Sequence, residues 1–344
     1  MNCNLSFECA ILHSERPASE KALCKNMVEN RGMSITAPQF SIIVAVYNDW
    51  VALDLCLRSL AQQSHAPTFE VIMVDDGSSE AAPARIREWT RQLPLTIIRQ
   101  SHGGIPTARN RGIQVSKGSV LLFVDADSRA EEDCLAALAA NIRESPQHDY
   151  FQLHLVGDCS ERVGRAEELR LKTFQEHMLQ PDGRIRYVNT AGFAIRRTRV
   201  NIETGLFDPV ALRAEDTLLL ANLMQAGELP LFVPNAIVQH GIPLTLTGYL
   251  RKAIPSARLE AKAYQIIASK GVKIRVTNQE RLSILRSMWN IAGQPSIGRS
   301  AWFILVARQT LQRIASFAYE RLRTNPKVGP RQGMRESELK NRTL

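Results

Sequence analysis

The chain has 344 residues, 44% of them hydrophobic and 22% charged, a balance that excludes a disordered or fibrous protein and fits one large catalytic domain plus an appendage, or two modest domains. Its formal charge of +9 is unevenly spread: residues 241–344 carry 19 Lys+Arg against 5 Asp+Glu, a net +14, and the remainder 24 against 29, a net −5. No nucleic-acid-binding module accompanies the basic stretch, so an anionic membrane surface is favoured as its partner over nucleic acid, with a solvated helix face as the plainer alternative.

Residues 1–38 hold no sustained period and mix Ser, Glu, Asn and Lys, the pattern of a poorly ordered segment. Met33 directly precedes a stretch that reads as a natural beginning, so translation is expected to start at Met33 or Met27, with the upstream residues dispensable. From Phe40 the pattern turns regular. Phe40–Val46 is a near-continuous apolar, β-branched run, the mark of a strand covered on both faces. A helix follows through Leu53, Leu57 and Leu60, then a second strand over Phe69–Val74 that ends on Asp75-Asp76-Gly77-Ser78. After another helix, Leu95–Ile98 is a third strand, and a loop with Gly103 and Gly104 leads to a helix begun at Pro106. Val120–Val124 is a fourth strand and ends on Asp125-Ala126-Asp127. Strands alternating with helices predict an α/β fold with a doubly wound, mostly parallel sheet that binds ligands at the strands' carboxyl ends.

Beyond Glu131 the rhythm changes. Helices near 131–143 and 166–178 flank a strand over Tyr150–Val156, and Tyr187–Ile195 and Leu231–Val238 read as strands either side of a helix over Asp216–Ala226. From about Thr247 the chain reads as helical and basic, closing with an amphipathic segment, Ala301–Leu322. The expected organisation is therefore a catalytic domain over residues 39–245 and a helical basic region over 246–344. Six cysteines (Cys3, Cys9, Cys24, Cys56, Cys134 and Cys159) form no CxxC pair, which predicts reduced thiols of a cytoplasmic protein. The opening lacks the pattern of a secretory signal. The strongest apolar run, Trp302–Ala307, is bounded by Arg299 and Arg308 and is too short to cross a bilayer.

The chemistry-bearing residues fall at the strand ends. Asp125 and Asp127 offer carboxylate oxygens of the kind that hold Mg2+ or Mn2+, although an Asp there also opens turns or caps helices. Asp75 and Asp76 place carboxylates after the second strand, where one could accept a hydrogen bond from a base N–H; an ordinary turn uses the same residues. Tyr47, followed by Asn48, offers a ring on which a base could stack. Asp216 stands at the start of a predicted helix, where an Asp serves as an N-cap.

Seven segments in order strengthen these readings: Val44-Ala45-Val46-Tyr47-Asn48; Val74-Asp75-Asp76-Gly77-Ser78; Gly103 to Gly112 (GGIPTARNRG); Phe123-Val124-Asp125-Ala126-Asp127; Gly192 to Arg197 (GFAIRR); Gly205-Leu206-Phe207-Asp208; and Glu215-Asp216-Thr217-Leu218-Leu219. Over about Phe40 to His240 the chain resembles the family 2 glycosyltransferases, which have the GT-A fold. The resemblance implies an inverting, metal-dependent, non-processive transfer of a hexose-like sugar from a nucleoside diphosphate donor, a UDP-sugar favoured, to the hydroxyl of a glycan or lipid-linked glycan, as in polysaccharide biosynthesis. It implies a nucleoside pocket lined by Ala45, Tyr47, Asn48, Asp75 and Asp76, with Arg109 and Asn110 near the ribose or diphosphate. Asp125 and Asp127 become the DxD pair reaching ribose and divalent metal, Mg2+ or Mn2+, and Asp216 the catalytic base supported by Glu215. His240 follows a strand where some relatives hold the metal or diphosphate with a histidine, while a lone histidine is as often structural. Ser128 stands where many relatives have a further Asp, and the QxxRW motif and membrane spans of processive polymerases are absent. A cytoplasmic location, with peripheral attachment of Ala301–Leu322 to the inner face of the plasma membrane, completes the expectation. Two other classes stay open: a catalytically silent nucleotide-sugar-binding scaffold on the same fold, and a nucleotidyltransferase, against which Glu215-Asp216 and Arg196-Arg197 weigh.

Overall fold

The computed structural model describes residues 37–211, 214–241, 245–254, 257, 267 and 277–324. The expected poor order of residues 1–38 and the start at Met33 or Met27 therefore fall almost wholly outside the described residues, as do Cys3, Cys9 and Cys24.

The first half builds as the alternation predicts. Strand β1 (Phe40–Val46) leads to helix α1 (Trp50–Ala61), then β2 (Phe69–Asp75), a short α2 (Ala84–Glu88), β3 (Leu95–Arg99), α3 (Ile105–Val115) and β4 (Val120–Phe123). β1 pairs in parallel with both β2 and β4, and β2 with β3, so the four carboxyl ends point one way. Helix α1 is started by Asp49, whose carboxylate accepts from the Ala52 N–H at 3.3 Å, and it buries Leu53, Leu57 and Leu60. They join Val44, Val46, Val71 and Met73 in the larger core, while Ile43, Leu121 and Phe123 face a second core on the other side of the sheet. That two-sided cover is why these strands read as unbroken apolar runs.

The second half mixes directions. It runs β5 (Ser128–Ala130), α4 (Cys134–Glu144), β6 (Tyr150–Gly157), α5 (Arg162–Met178), β7 (Phe193–Arg196), α6 (Glu215–Ala226) and β8 (Leu231–His240). The eight-stranded sheet has the order β3-β2-β1-β4-β7-β6-β8-β5, with β7 antiparallel to β4 and β6, and β5 antiparallel to β8. The expected strand over Tyr187–Ile195 is shorter: Thr190–Gly192 form a 3-10 turn, and only Phe193 onward joins the sheet. Polar side chains claim the backbone there, since Asn189 Oδ1 accepts from the Ala191 N–H at 3.0 Å and Gln152 Oε1 from the Asn189 N–H at 2.8 Å. β5 was not anticipated, because three residues carry no readable period.

After β8 come α7 (Leu246–Arg251), α8 (Asn278–Ile291) and α9 (Arg299–Thr324). Thr277 and Glu280 form a reciprocal capping box at the start of α8. Ile284, Met288 and Ile291 of α8 and Ala301 and Leu305 of α9 share a buried cluster with Ala166, Leu169 and Met178 of α5. The amphipathic final helix thus has one side seated on α5. Among the described residues no helix is long and apolar enough to cross a membrane. Cys56, Cys134 and Cys159 are free thiols, and burial pushes the Cys134 thiol up to about 12.

Candidate active site

Parallel pairing gathers the residues that follow β1 and β2 at one edge. Val46 lies opposite Asp75 in the β1–β2 register, and the Asp76 N–H donates to Val46 O at 2.9 Å, so Tyr47 and Asp76 emerge side by side. The Tyr47 ring is 49% exposed and stacks on His102, with ring centroids 4.4 Å apart. Ala45, partly buried, sits in β1 just beneath. Asn48 has a positive φ of 55° and its Oδ1 accepts from the Ser79 N–H at 2.7 Å, pinning the first strand end to the turn after β2.

The two carboxylates after β2 have different surroundings. Asp75 is buried, accepts from the Ser78 N–H at 2.9 Å and faces Arg99 at 3.5 Å. Asp76 is buried as well and accepts on one oxygen from Gln100 Nε2 (2.8 Å) and the Gly103 N–H (2.9 Å). On the other it accepts from the Gly104 N–H (2.8 Å), while His102 Nδ1, 2.9 Å from that oxygen, makes its hydrogen bond with the Asp76 backbone carbonyl at 3.0 Å. Three hydrogen bonds to the carboxylate make Asp76 the anchor of the glycine loop and leave acceptor capacity for a further N–H. Gly77 makes the close approach tolerable: it has φ +76°, and a Cβ there would lie 2.6 Å from the His102 backbone nitrogen.

Helix α3 carries Arg109 and Asn110, and both turn inward. Asn110 Nδ2 donates to Phe207 O at 2.6 Å while its Oδ1 accepts from the Leu206 and Phe207 N–H groups at 3.0 Å each. It holds the Gly205-Leu206-Phe207 loop, which explains that pair of motifs structurally. Arg109 is only 2% exposed, donates to Asp125 Oδ1 at 2.6 Å and to Glu215 Oε1 at 2.8 Å, and lies over the Phe207 ring at 5.4 Å. Burial alone would lower the Arg109 pKa, but Asp125, Glu215 and Asp216 together push it above the ordinary arginine value.

Asp216 is the second residue of α6, whose cap position is Ala214, so the helix-cap role weighed for it is not the one it plays. Its Oδ1 accepts from Thr190 Oγ1 at 2.6 Å. Burial, followed by the neighbouring Glu215 carboxylate, raises the Asp216 pKa to about 7, against the lowering pull of Arg109 and Thr190. A carboxyl group poised there is matched to proton transfer near neutral pH.

The acidic pair after β4 finds a third partner through β5. Ser128 pairs with His240 in the β5–β8 register, and Ser128 Oγ lies 3.1 Å from His240 Nδ1. Asp127 Oδ1 is 3.7 Å from the same ring nitrogen. Asp125, Asp127 and His240, all partly exposed, bring one ligand atom each within 4.8 Å of one another. Burial first, and then the neighbouring Asp125, raise the Asp127 pKa against the lowering pull of His240, so two carboxylates face each other where a cation would relieve them. Two carboxylates and an imidazole fit a divalent ion such as Mn2+.

Residues 41–205 match the family described as Glycosyl transferase family 2. This segment belongs to the family 2 glycosyltransferases. The chain is 35% identical over 97 residues to EpsH of Bacillus subtilis, covering 28% of each protein. It is 37% identical over 118 residues to the PGL/p-HBAD biosynthesis glycosyltransferase of Mycobacterium bovis, covering 33% of this chain and 46% of that one. The alignments thus span less than half the length of either curated relative. Among solved structures, the mannosyltransferase PcManGT from Pyrobaculum calidifontis, in complex with GDP-Man and Mn2+, superposes with a TM-score of 0.55 at 16% identity, covering 89% of this chain and 96% of that one. At that identity the likeness speaks for the GT-A fold. Motif reading did not single out three contacts of the site: Thr190 on Asp216, and Gln100 and His102 at Asp76. Phe207, under Arg109, lies within a quoted motif but carried no role there. No periodicity marks any of the four.

Proposed function

We propose that this protein is an inverting glycosyltransferase that moves a sugar from a nucleoside diphosphate donor to the hydroxyl of a glycan or lipid-linked glycan. The observation that carries the reading is the buried Arg109 guanidinium, which ties Asp125 of the acidic pair to Glu215 beside Asp216. Asp125 and Glu215, far apart in sequence, are thereby tied to one guanidinium, which supports a single site. Tyr47 presents the stacking surface for the base, with Ala45, Asn48, Asp75 and the Asp76-held glycine loop around it. Asp216 accepts the proton of the acceptor hydroxyl as its oxygen bonds to the anomeric carbon from the face opposite the diphosphate. The bond from that carbon to the diphosphate oxygen breaks, and the configuration inverts. A divalent ion, Mg2+ or Mn2+, held by Asp125, Asp127 and His240 would offset the charge growing on the departing diphosphate. Arg109 contributes by holding Asp125 and Glu215 in place rather than by touching the donor. Mn2+ beside GDP-Man in PcManGT supports the metal and donor classes.

A panel of nucleoside diphosphate sugars, each with Mn2+, tests the proposal by protection against thermal unfolding and by release of nucleoside diphosphate when an acceptor is added. Protection with acceptor-dependent release is expected. Protection by a donor without release under any acceptor or metal would favour the silent scaffold, and pyrophosphate release from a nucleoside triphosphate and a sugar phosphate the nucleotidyltransferase.

A further inference from the structure

The catalytic reading uses nothing from the outer side of the last two helices, yet that side is patterned. On α8, Leu282, Leu285 and Trp289 recur at helical spacing and are 58%, 40% and 39% exposed, opposite the buried Ile284, Met288 and Ile291. On α9, Phe303, Leu311 and Ile314 are 60%, 40% and 61% exposed, opposite Ala301 and Leu305, along about 16 Å of helix. The two stripes meet. The Trp289 ring touches Trp302 and Trp302 touches Phe303, each pair with centroids 5.2 Å apart. Exposed apolar surface therefore runs continuously from one helix to the other.

Its rim is basic. Arg281 and Arg286 flank the α8 stripe, Arg299 and Arg313 the α9 stripe, and all four are exposed. Arg299 lies over the Trp289 ring at 4.1 Å, so its guanidinium stands at the boundary of the apolar surface. The acidic side chain nearest in sequence, Glu280, is already paired with Arg186 at 2.6 Å. Tryptophan and phenylalanine on an apolar face, ringed by arginine, is the composition of a helix lying in a bilayer interface, where aromatic rings enter the headgroup region and arginines meet lipid phosphates. A protein partner of matching shape would need no such excess of one sign, and residues 241–344 carry a net +14.

We propose that α8 and α9 together form a docking surface for an anionic phospholipid bilayer, entered by Leu282, Leu285, Trp289, Phe303, Leu311 and Ile314. The surface is wider than the amphipathic last helix that the sequence suggests, since that helix spends one side on α5 and shares the other with α8. The proposal rests on the transferase reading only for its purpose, which is to hold the cleft beside a lipid-linked acceptor; binding itself is independent of turnover.

The test is co-sedimentation of the full chain with vesicles of phosphatidylcholine alone or of phosphatidylcholine mixed with phosphatidylglycerol, with donor hydrolysis or transfer to a soluble acceptor read separately. Binding to the mixed vesicles only, weakened at high salt, is expected. F303E/I314E should lose at least about tenfold in vesicle affinity with an unchanged melting temperature, because both side chains are exposed. R286Q/R313Q should lose the preference for anionic vesicles while folding normally. Equal binding to both vesicle types, no binding, or unaltered binding by both variants overturns the proposal. So does a dimer in solution that F303E/I314E dissolves while vesicle binding is nil, which would assign the surface to a second copy of the chain. Vesicle binding without any transferase activity would leave the docking surface standing and sink the catalytic reading alone.

Discussion

Replacing Arg109 by methionine probes the link between the two halves of the site. The wild-type guanidinium is 2% exposed and makes two short ion-paired hydrogen bonds, 2.6 Å to Asp125 and 2.8 Å to Glu215. Glu215 is itself buried and its Oε2 has no hydrogen-bond partner, so removing Arg109 strands a whole carboxylate. Breaking a buried pair from one side costs about 3–5 kcal/mol, mainly because the other charge stays behind. For a cooperative unit of this size the melting temperature should fall by about 5–9 °C. Adding E215Q to R109M removes that charge and should recover at least about half of the lost stability. Thermal unfolding of the four proteins of this cycle, without ligand, is the assay. A shift under about 1 °C for R109M, or a double variant no better than the single, would refute the account of Arg109 as the electrostatic keystone.

Two further outcomes follow from the site. Because Asp216 is raised to about 7 and must be ionised to take a proton, kcat/KM should climb with pH through a limb centred near 7; D216N should cut turnover by at least about a hundredfold, and a limb far from neutrality would dismiss Asp216 as the base. Mn2+ should raise the melting temperature of the wild type, by about 2.7 kcal/mol of stabilisation at a hundred times its dissociation constant, and D127A should abolish that shift; an equal shift in D127A would take the metal elsewhere.

Much of this architecture was legible in the residues. Phe40–Val46 and Phe69–Val74 announce themselves because strands covered on both faces are apolar throughout, and Pro106 marks a helix start by its own chemistry. The acidic pair and Glu215-Asp216 were visible as motifs too. What they touch was not. Arg109 and Asn110 read as ligands of the donor, yet the fold turns both inward, one onto two carboxylates and the other onto the Leu206-Phe207 backbone. Asp76 read as a base-binding group, and its hold on the glycine loop was not visible in the motif. These are contacts between residues 16 to 106 positions apart, and no local pattern encodes them. The same holds for Thr190, whose hydroxyl steadies Asp216 from inside a segment that reads as plain strand.

Strand β8 carries a consequence of its own. Leu153 of β6 pairs with Val233, but its neighbour His154 pairs with Ile237, so Pro234, Asn235 and Ala236 are looped out of the ladder. Proline is tolerated there because it owes the sheet no hydrogen bond. The register restarts after that interruption, where Ile237 to His240 pair residue by residue with β6 and His240 with Ser128 of β5. Residues outside the ladder do not enter the alternation of side chains, so a change of length within Pro234–Ala236 is absorbed without turning the His240 imidazole, whereas one residue deleted between Ile237 and His240 would carry it to the opposite face. Length is therefore free to vary in the interruption and fixed after it, and the short paired run is what keeps the imidazole beside Asp125 and Asp127.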